Sequence, residues 1–457
     1  MRVLMATAEL TPLASTGGLG AAVAGIVHAM RRMDDVHLDL VLPDYGGVEL
    51  DDETAHDLHV PSWAGWARVR TGTHPSIGAL HLIEVPAMRR PHLYDDPVTG
   101  RAWADNDRRF FAYSAAVAAW AEHLDVDVLH LNDWHTSAAL ALLHRPRPSV
   151  LTIHNLAYQG NADPGWSHVL GPRAGAYLRH GHTIPLAGGI ALADRVVAVS
   201  PNYAEEIRTP EGGMGLHDDL LARGDDLVGI LNGIDTDVWD PATDEHLEAT
   251  YGPSTLARRA DNTAALRADL GLTDDGPLIG MVTRFTEQKA VDRMFALAPY
   301  LDGLAQLVVL GSGDPALAQL GARLSATHPD RVVVVDDYDA VLAHRIFGSA
   351  DLFAMPSRFE PCGLAQMQAM RYGCPPIVTD VGGLHDTVTD ADRHPADGTG
   401  WVTTTNDLPG WIDAVHRAVR GWHDVDRRTR AQRNGMAPDW SWDGPAAQQV
   451  DLYRSIV

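Results

Sequence analysis

The sequence is poor in cysteine, in positive charge and in long apolar runs. Its 457 residues hold two cysteines, Cys362 and Cys374, too few for a disulfide framework or a zinc pattern and suited to a reducing cytoplasm. Cys362 stands near a glutamate and lacks the histidine base that a nucleophilic thiol uses. No run reaches the roughly 18 apolar residues of a membrane span. The apolar start before Glu9 is too short for a signal peptide and reads as a first strand. Low-complexity tails are missing too. Lys plus Arg number 36 against 60 Asp plus Glu, a formal charge of −24 that repels nucleic acid and anionic membranes. The expectation is a cytoplasmic protein whose anionic small ligands must be met by local positive charge.

What is present is an ordinary globular composition, 45% hydrophobic and 21% charged, on a chain too long for one core. Short apolar runs read as strands at Val3 to Ala6, Leu38 to Leu42, Leu80 to Val85, Val126 to Leu131, Val150 to Ile153, Val196 to Val199 and Leu227 to Leu231. Ala-rich helical patterns such as Ala21 to Arg32 and Arg108 to Leu124 lie between several of them. A second set of strands runs through Leu278 to Val282, Leu307 to Leu310, Val332 to Val335, Leu352 to Met355 and Ile377 to Thr379. This rhythm predicts an α/β protein with two doubly wound halves, residues 1–236 and 237–436, and a terminal helix, 437–457, packing back on the first. Asp237 to about Asp274 reads as the connection.

Ligands of open α/β sheets bind at the carboxyl ends of strands, and several polar groups stand there. Met355 to Leu384 is the richest stretch. Pro361 suits a first helical turn, which puts Glu360 at a helix N-terminus, either as a cap or as a chemical group beside an anion site. Arg284 and Lys289 follow the strand Leu278 to Val282 and suit a diphosphate, or else a salt bridge with Glu287. Asn132-Asp133-Trp134-His135 and His154-Asn155 follow two strands of the first half. A histidine there can donate to a substrate oxygen, and an aspartate can accept from a hydroxyl. Ser15-Thr16-Gly17-Gly18 is a plain turn or a close approach to a ligand. It lacks the Gly-x-Gly-x-x-Gly spacing of dinucleotide sites. Asn232-Gly233 and Gly311-Ser312-Gly313 are turns at strand ends. Three Asp-x-Asp pairs join no phosphate loop and read as chance.

Taken in order, Thr16 to Leu19, Asn132 to His135, Ile153 to Gly160, Ala198 to Pro201, Leu231 to Asp235, Arg284 with Gln288-Lys289, and His344-Arg345 before Pro356 to Leu364 resemble the bacterial glycogen synthase and plant starch synthase family. The resemblance implies a GT-B fold, two Rossmann-like domains facing a cleft, and a retaining, metal-independent hexosyltransferase. It implies a nucleotide-sugar co-substrate, with the base open among ADP, GDP, dTDP and UDP, and no cofactor. By the same resemblance Arg284 and Lys289 hold the diphosphate, Glu360 and His154 contact the donor sugar, and Gly17, Gly18, Asn232, Gly311, Cys362, Gly363, Leu364, Gly382 and Gly383 lie along the donor. Tyr338 stacks on the base. Ser15, Thr16, Tyr94, Asp133 and Asn155 order a small oligosaccharide acceptor.

Four positions depart from the family pattern: Ser15, Ala187 and Asp380, where it has cations, and Ala21, where it has aspartate. They raise the expectation of a diverged enzyme that moves a sugar or a sugar-like cyclitol onto a maltose-like or aminosugar acceptor, as a glycosyltransferase or pseudoglycosyltransferase of antibiotic-type assembly. The alternatives are an ADP-glucose-dependent glycogen synthase and a silent binding homologue.

Overall fold

The protein, seen here in a computed structural model, is described over residues 1–273, 276–301 and 303–457. It divides into two compact units, Met1–Gly233 with Trp442–Val457, and Ile234–Ser441.

The first unit is built on nine strands: β1 (Arg2–Ala6), β2 (His37–Pro43), β3 (Asp51–Leu58), β4 (Ala67–His74), β5 (Gly78–Glu84), β6 (Val128–Asn132), β7 (Ser149–Ile153), β10 (Arg195–Ala198) and β11 (Leu227–Gly229), while β8 (Leu178–Arg179) and β9 (His182–Thr183) form a separate small hairpin. The sheet order is β11-β10-β7-β6-β1-β2-β5-β4-β3. Runs such as Val3 to Ala6 and Val128 to Leu131 are buried throughout because helices cover both faces of a parallel sheet. Each such apolar side chain contributes roughly 1.5–3 kcal/mol. The β3–β4 hairpin, antiparallel to its neighbours, escaped the sequence reading. Asp51 to Asp57 is exposed and almost wholly polar, so it carries no apolar alternation.

The helix Asp443–Arg454 completes this unit. Val450 and Tyr453 share a core with Val23, Val27 and Met30, and the Tyr453 hydroxyl lies 2.5 Å from Nδ1 of buried His130.

The second unit holds six parallel strands, β12 (Leu278–Val282), β13 (Gln306–Gly311), β14 (Val332–Asp336), β15 (Leu352–Met355), β16 (Pro376–Val378) and β17 (Trp401–Val402), in the order β14-β13-β12-β15-β16-β17. Trp401 and Trp411 are fully buried in its core with Ile279 and Leu307. The stretch read as a connection is more than that. It carries the helix Arg259–Leu270, whose buried Arg259 donates to the carbonyls of Phe347, Tyr372 and Ala350. Asp274, where that stretch was expected to end, lies outside the described residues.

One expectation fails inside the richest stretch. The helix after β15 begins at Ala365, not Pro361. Gly363 sits at φ +75, and Gln366 Nε2 donates to the carbonyls of Cys362 and Gly363. A left-handed residue cannot continue a helix, so residues 361 to 364 form a turn. Glu360 therefore does not cap this helix. It sits in the loop that follows β15.

Candidate active site

In the second unit, the loops after β12, β15 and β16 carry the polar groups. The β12 loop is held by its neighbours: Phe285 N–H donates to the Ser312 carbonyl at 2.7 Å, and Asp314 N–H to the Phe285 carbonyl at 2.8 Å. A Cβ on Gly311 would meet the Thr283 carbonyl oxygen at 1.6 Å, so this glycine serves loop packing. The β15 loop is tied to the same segment. Arg358 N–H donates to the Gln288 carbonyl at 2.8 Å, and its guanidinium grips both carboxylate oxygens of Asp292 at 3.0 and 2.7 Å.

These ties bring Lys289 to Glu360, Nζ to Oε2 at 2.5 Å. Glu360 is buried, and Oε2 also accepts from Ser357 Oγ at 3.0 Å. The Glu287 pairing considered from sequence is not formed by Lys289. Arg284 is exposed, with no ion pair among the described residues. Gly382 and Gly383 pack on this loop. Gly383 N–H donates to the Glu360 carbonyl at 3.1 Å, and a Cβ on Gly382, at φ +41, would stand 1.9 Å from that oxygen. Cys362 is buried and Leu364 immediately precedes the helix. Tyr338 is 86% exposed in the loop after β14, its ring open to a ligand. Asp380 pairs with His385 at 2.7 Å. His344, part of the family pattern, stacks on Trp239 at 4.1 Å and bonds Asp244, a packing role.

In the first unit, Asp133 follows β6 in a strained backbone, φ 55 and ψ −172. Its carboxylate accepts the His154 N–H at 2.7 Å. Burial pushes Asp133 up to about 7. The backbone donors of His154 and Asn155 oppose this, and the charge of Glu9 adds to it. His154 Nε2 is 2.8 Å from Asn132 Oδ1, and Asn132 Nδ2 donates to the Ala6 carbonyl, so the ring donates through Nε2. Burial lowers His154 to about 3, keeping it neutral. The expected donation to a substrate oxygen is thereby corrected. Among the described residues Nδ1 has no partner, which leaves it as an acceptor.

Glu9 was missed from sequence and stands at the centre of the acceptor-type residues. It accepts from Thr16 N–H at 2.8 Å, Thr16 Oγ1 at 3.0 Å and the Tyr94 hydroxyl at 2.9 Å. Tyr94 stacks on His135, ring centroids 5.1 Å apart. The signal available was a buried-strand run, Val3 to Ala6, ending in a carboxylate within ten residues of the Gly-Gly turn. Ser15 is exposed and, among the described residues, its hydroxyl bonds only the Gly17 carbonyl, at 3.1 Å. A Cβ on Gly18 meets open space, so the turn leaves room for a ligand. Asn155 Oδ1 accepts from Ala157 N–H at 3.0 Å. Beside it an open pocket of about 460 Å³ is lined by Trp134, Tyr158, Gln159 and Met214. Asn232 is half-buried beyond β11. Among the described residues no cluster suits a metal ion, and no helix is long and apolar enough to cross a membrane.

Residues 2–222 match the starch synthase catalytic domain, and residues 262–436 match glycosyl transferases group 1. A glycogen synthase of Halorhodospira halophila is 42% identical across 100% of this chain and 99% of its own length. One of Alkalilimnicola ehrlichii is 41% identical with the same coverage. The catalytic domain of starch synthase IV from Arabidopsis thaliana, solved bound to ADP and acarbose, matches with a TM-score of 0.88 at 32% identity, covering 99% of this chain and 98% of that one. The chain belongs to the glycogen and starch synthase family. It is a hexosyltransferase with that family's two-domain α/β fold, GT-B. Sucrose-phosphate synthase from Thermosynechococcus elongatus, 20% identical at a TM-score of 0.64, shares the fold.

Composition adds a signal for this glycogen synthase relative that sequence reading overlooked. Lys289 is the only lysine in the chain, and every other member of the 36 Lys-plus-Arg set is arginine. A guanidinium is broad and forked where an ammonium is compact. The one lysine stands where a cation must fit against buried Glu360.

Proposed function

We propose that the protein is an ADP-glucose-dependent glycogen synthase that extends α-1,4-glucan with retention of configuration. The observation that carries this reading is full-length similarity to glycogen synthases at 42% identity. It favours the ordinary reaction over the maltose-like or aminosugar acceptors that Ser15, Ala21, Ala187 and Asp380 had suggested. The Arabidopsis relative's ADP and acarbose supply the matching ligand classes, a nucleotide and an oligosaccharide.

In this reading Arg284 and Lys289 hold the donor diphosphate and neutralise the charge that grows as the glycosidic bond breaks. Glu360 accepts from sugar hydroxyls, and neutral His154 accepts at Nδ1 from the 6-hydroxyl. Tyr338 stacks on adenine. Thr16, Tyr94, Asp133 and Asn155 order the glucan end. Attack comes from the front face, with the leaving phosphate as base, so no second carboxylate is required. The test is purified protein offered ADP-, UDP-, GDP- and dTDP-glucose with glycogen or maltose and read by mass spectrometry. Hexose addition to glycogen from ADP-glucose is expected. Transfer only from other donors, or only to small aminosugar acceptors, overturns it.

A further inference from the structure

Glu360 has two carboxylate oxygens and only one is engaged. Oε2 receives Lys289 Nζ at 2.5 Å and Ser357 Oγ at 3.0 Å, while Oε1 has no partner among the described residues. Ser357 is 1% exposed, and its carbonyl in turn accepts from Thr379 Oγ1 at 2.6 Å, which joins the ends of β15 and β16. A carboxylate beside one cation can rotate and share either oxygen. A second donor fixed to the same oxygen removes that freedom. Ser357 is not among the residues to which the family resemblance gave a role.

We propose that Ser357 is a positioning residue. Its hydroxyl locks Oε2 against Lys289 and so presents Oε1, unshared, as the acceptor for a hydroxyl of the transferred sugar. Preorganisation of this kind acts on the sugar half of the donor and leaves the nucleotide half alone. The inference rests on the proposed function for the identity of the ligand. The geometric part stands without it.

Spectroscopy, kinetics and calorimetry test it. Protein labelled with [ε-13C]lysine gives a single side-chain signal because Lys289 is the only lysine. That signal moves in Ser357→Ala if the shared oxygen is reorganised, and an unmoved signal overturns the proposal whatever the enzyme's activity. In kinetics, Ser357→Ala lowers kcat/KM for ADP-glucose about 10- to 100-fold, the effect of losing one hydrogen bond to a charged group. Affinity for ADP alone, read by calorimetry, stays within about twofold. In a Glu360→Gln background the same change costs little further, as expected for residues acting through one contact. Equal loss of ADP binding, or additive losses in the double variant, assigns Ser357 to mere packing and overturns the proposal. A wild-type protein that transfers nothing from any nucleotide-glucose overturns the proposed function. An active wild type with an equally active Ser357→Ala overturns the role of Ser357 alone.

Discussion

Lys289 and Glu360, 71 residues apart in sequence, meet at 2.5 Å through Nζ and Oε2. The contact exists because Arg358 and Gln288 stitch the loop after β12 to the loop after β15. Since Lys289 is the only lysine, an amine-directed reagent has one side-chain target. Acylation followed by peptide mass spectrometry is expected to modify Lys289 and the N-terminal amine only, and saturating ADP-glucose is expected to protect Lys289. Labelling of Lys289 that proceeds equally fast with ADP-glucose bound goes against its contact with the diphosphate.

Lys289→Arg keeps the charge and changes the shape. A forked guanidinium does not fit against Glu360 and Ser357 as a point charge does. A loss of about 10²- to 10³-fold in kcat/KM is expected, the range for removing one preorganised donor to developing charge. Steady-state kinetics with ADP-glucose checks it.

Ser15→Lys supplies the cation that the family pattern has at this turn. Ser15 is exposed and, among the described residues, bonds only a local carbonyl, so the longer side chain is accommodated. For an ordinary glycogen synthase whose substitutions are tolerated, activity on glycogen is expected to change by less than about threefold, under 1 kcal/mol. A large gain marks the serine as a true loss of function at that site.

Gly382→Ala puts a methyl group 1.9 Å from the Glu360 carbonyl oxygen at φ +41. The loop must shift, and a displacement of about 1 Å at a reacting group costs on the order of 10²-fold. Activity is expected to fall by that order, with the thermal midpoint lowered by a few degrees. Calorimetry and kinetics on the same preparation separate the two effects.

Stability is expected to fall with acid. Burial lowers His130, His135 and His154 to about 3, so each takes up a proton on unfolding between pH 3 and roughly 6.5. Asp133, raised to about 7, works in the opposite sense: folded protein holds its proton and unfolded protein releases it above roughly pH 4. Near pH 5 the four groups together give a net uptake of about two protons on unfolding. Urea midpoints measured from pH 5 to 6.5 should therefore rise with pH. His154→Gln should flatten that slope by about one proton.

How much of this was legible in the sequence follows from burial. Both sheets were readable because their central strands are unbroken apolar runs. The β3–β4 hairpin was not, since Asp51–Leu58 is almost wholly exposed and polar and Ala67–His74 alternates only over its first few residues, and two-residue β17 is too short for any pattern. Arg284, Lys289 and Glu360 were legible as strand-end polar groups. The helix start was misread because Pro361 suits a first turn equally well inside or outside a helix, and only the left-handed Gly363 decides. The tautomer of His154 needed Asn132 beside it, 22 residues away. Glu9 needed Tyr94, 85 residues away.

The helix Asp443–Arg454 makes the first unit discontinuous in sequence, with all of Ile234–Ser441 interposed. During synthesis the second unit emerges whole and can fold as it leaves the ribosome. The first unit, begun earlier, still lacks Val450 and Tyr453, and His130 stays without the hydroxyl it meets in the finished protein. The half of the enzyme that starts first is therefore sealed last, after the whole of the second unit has been made.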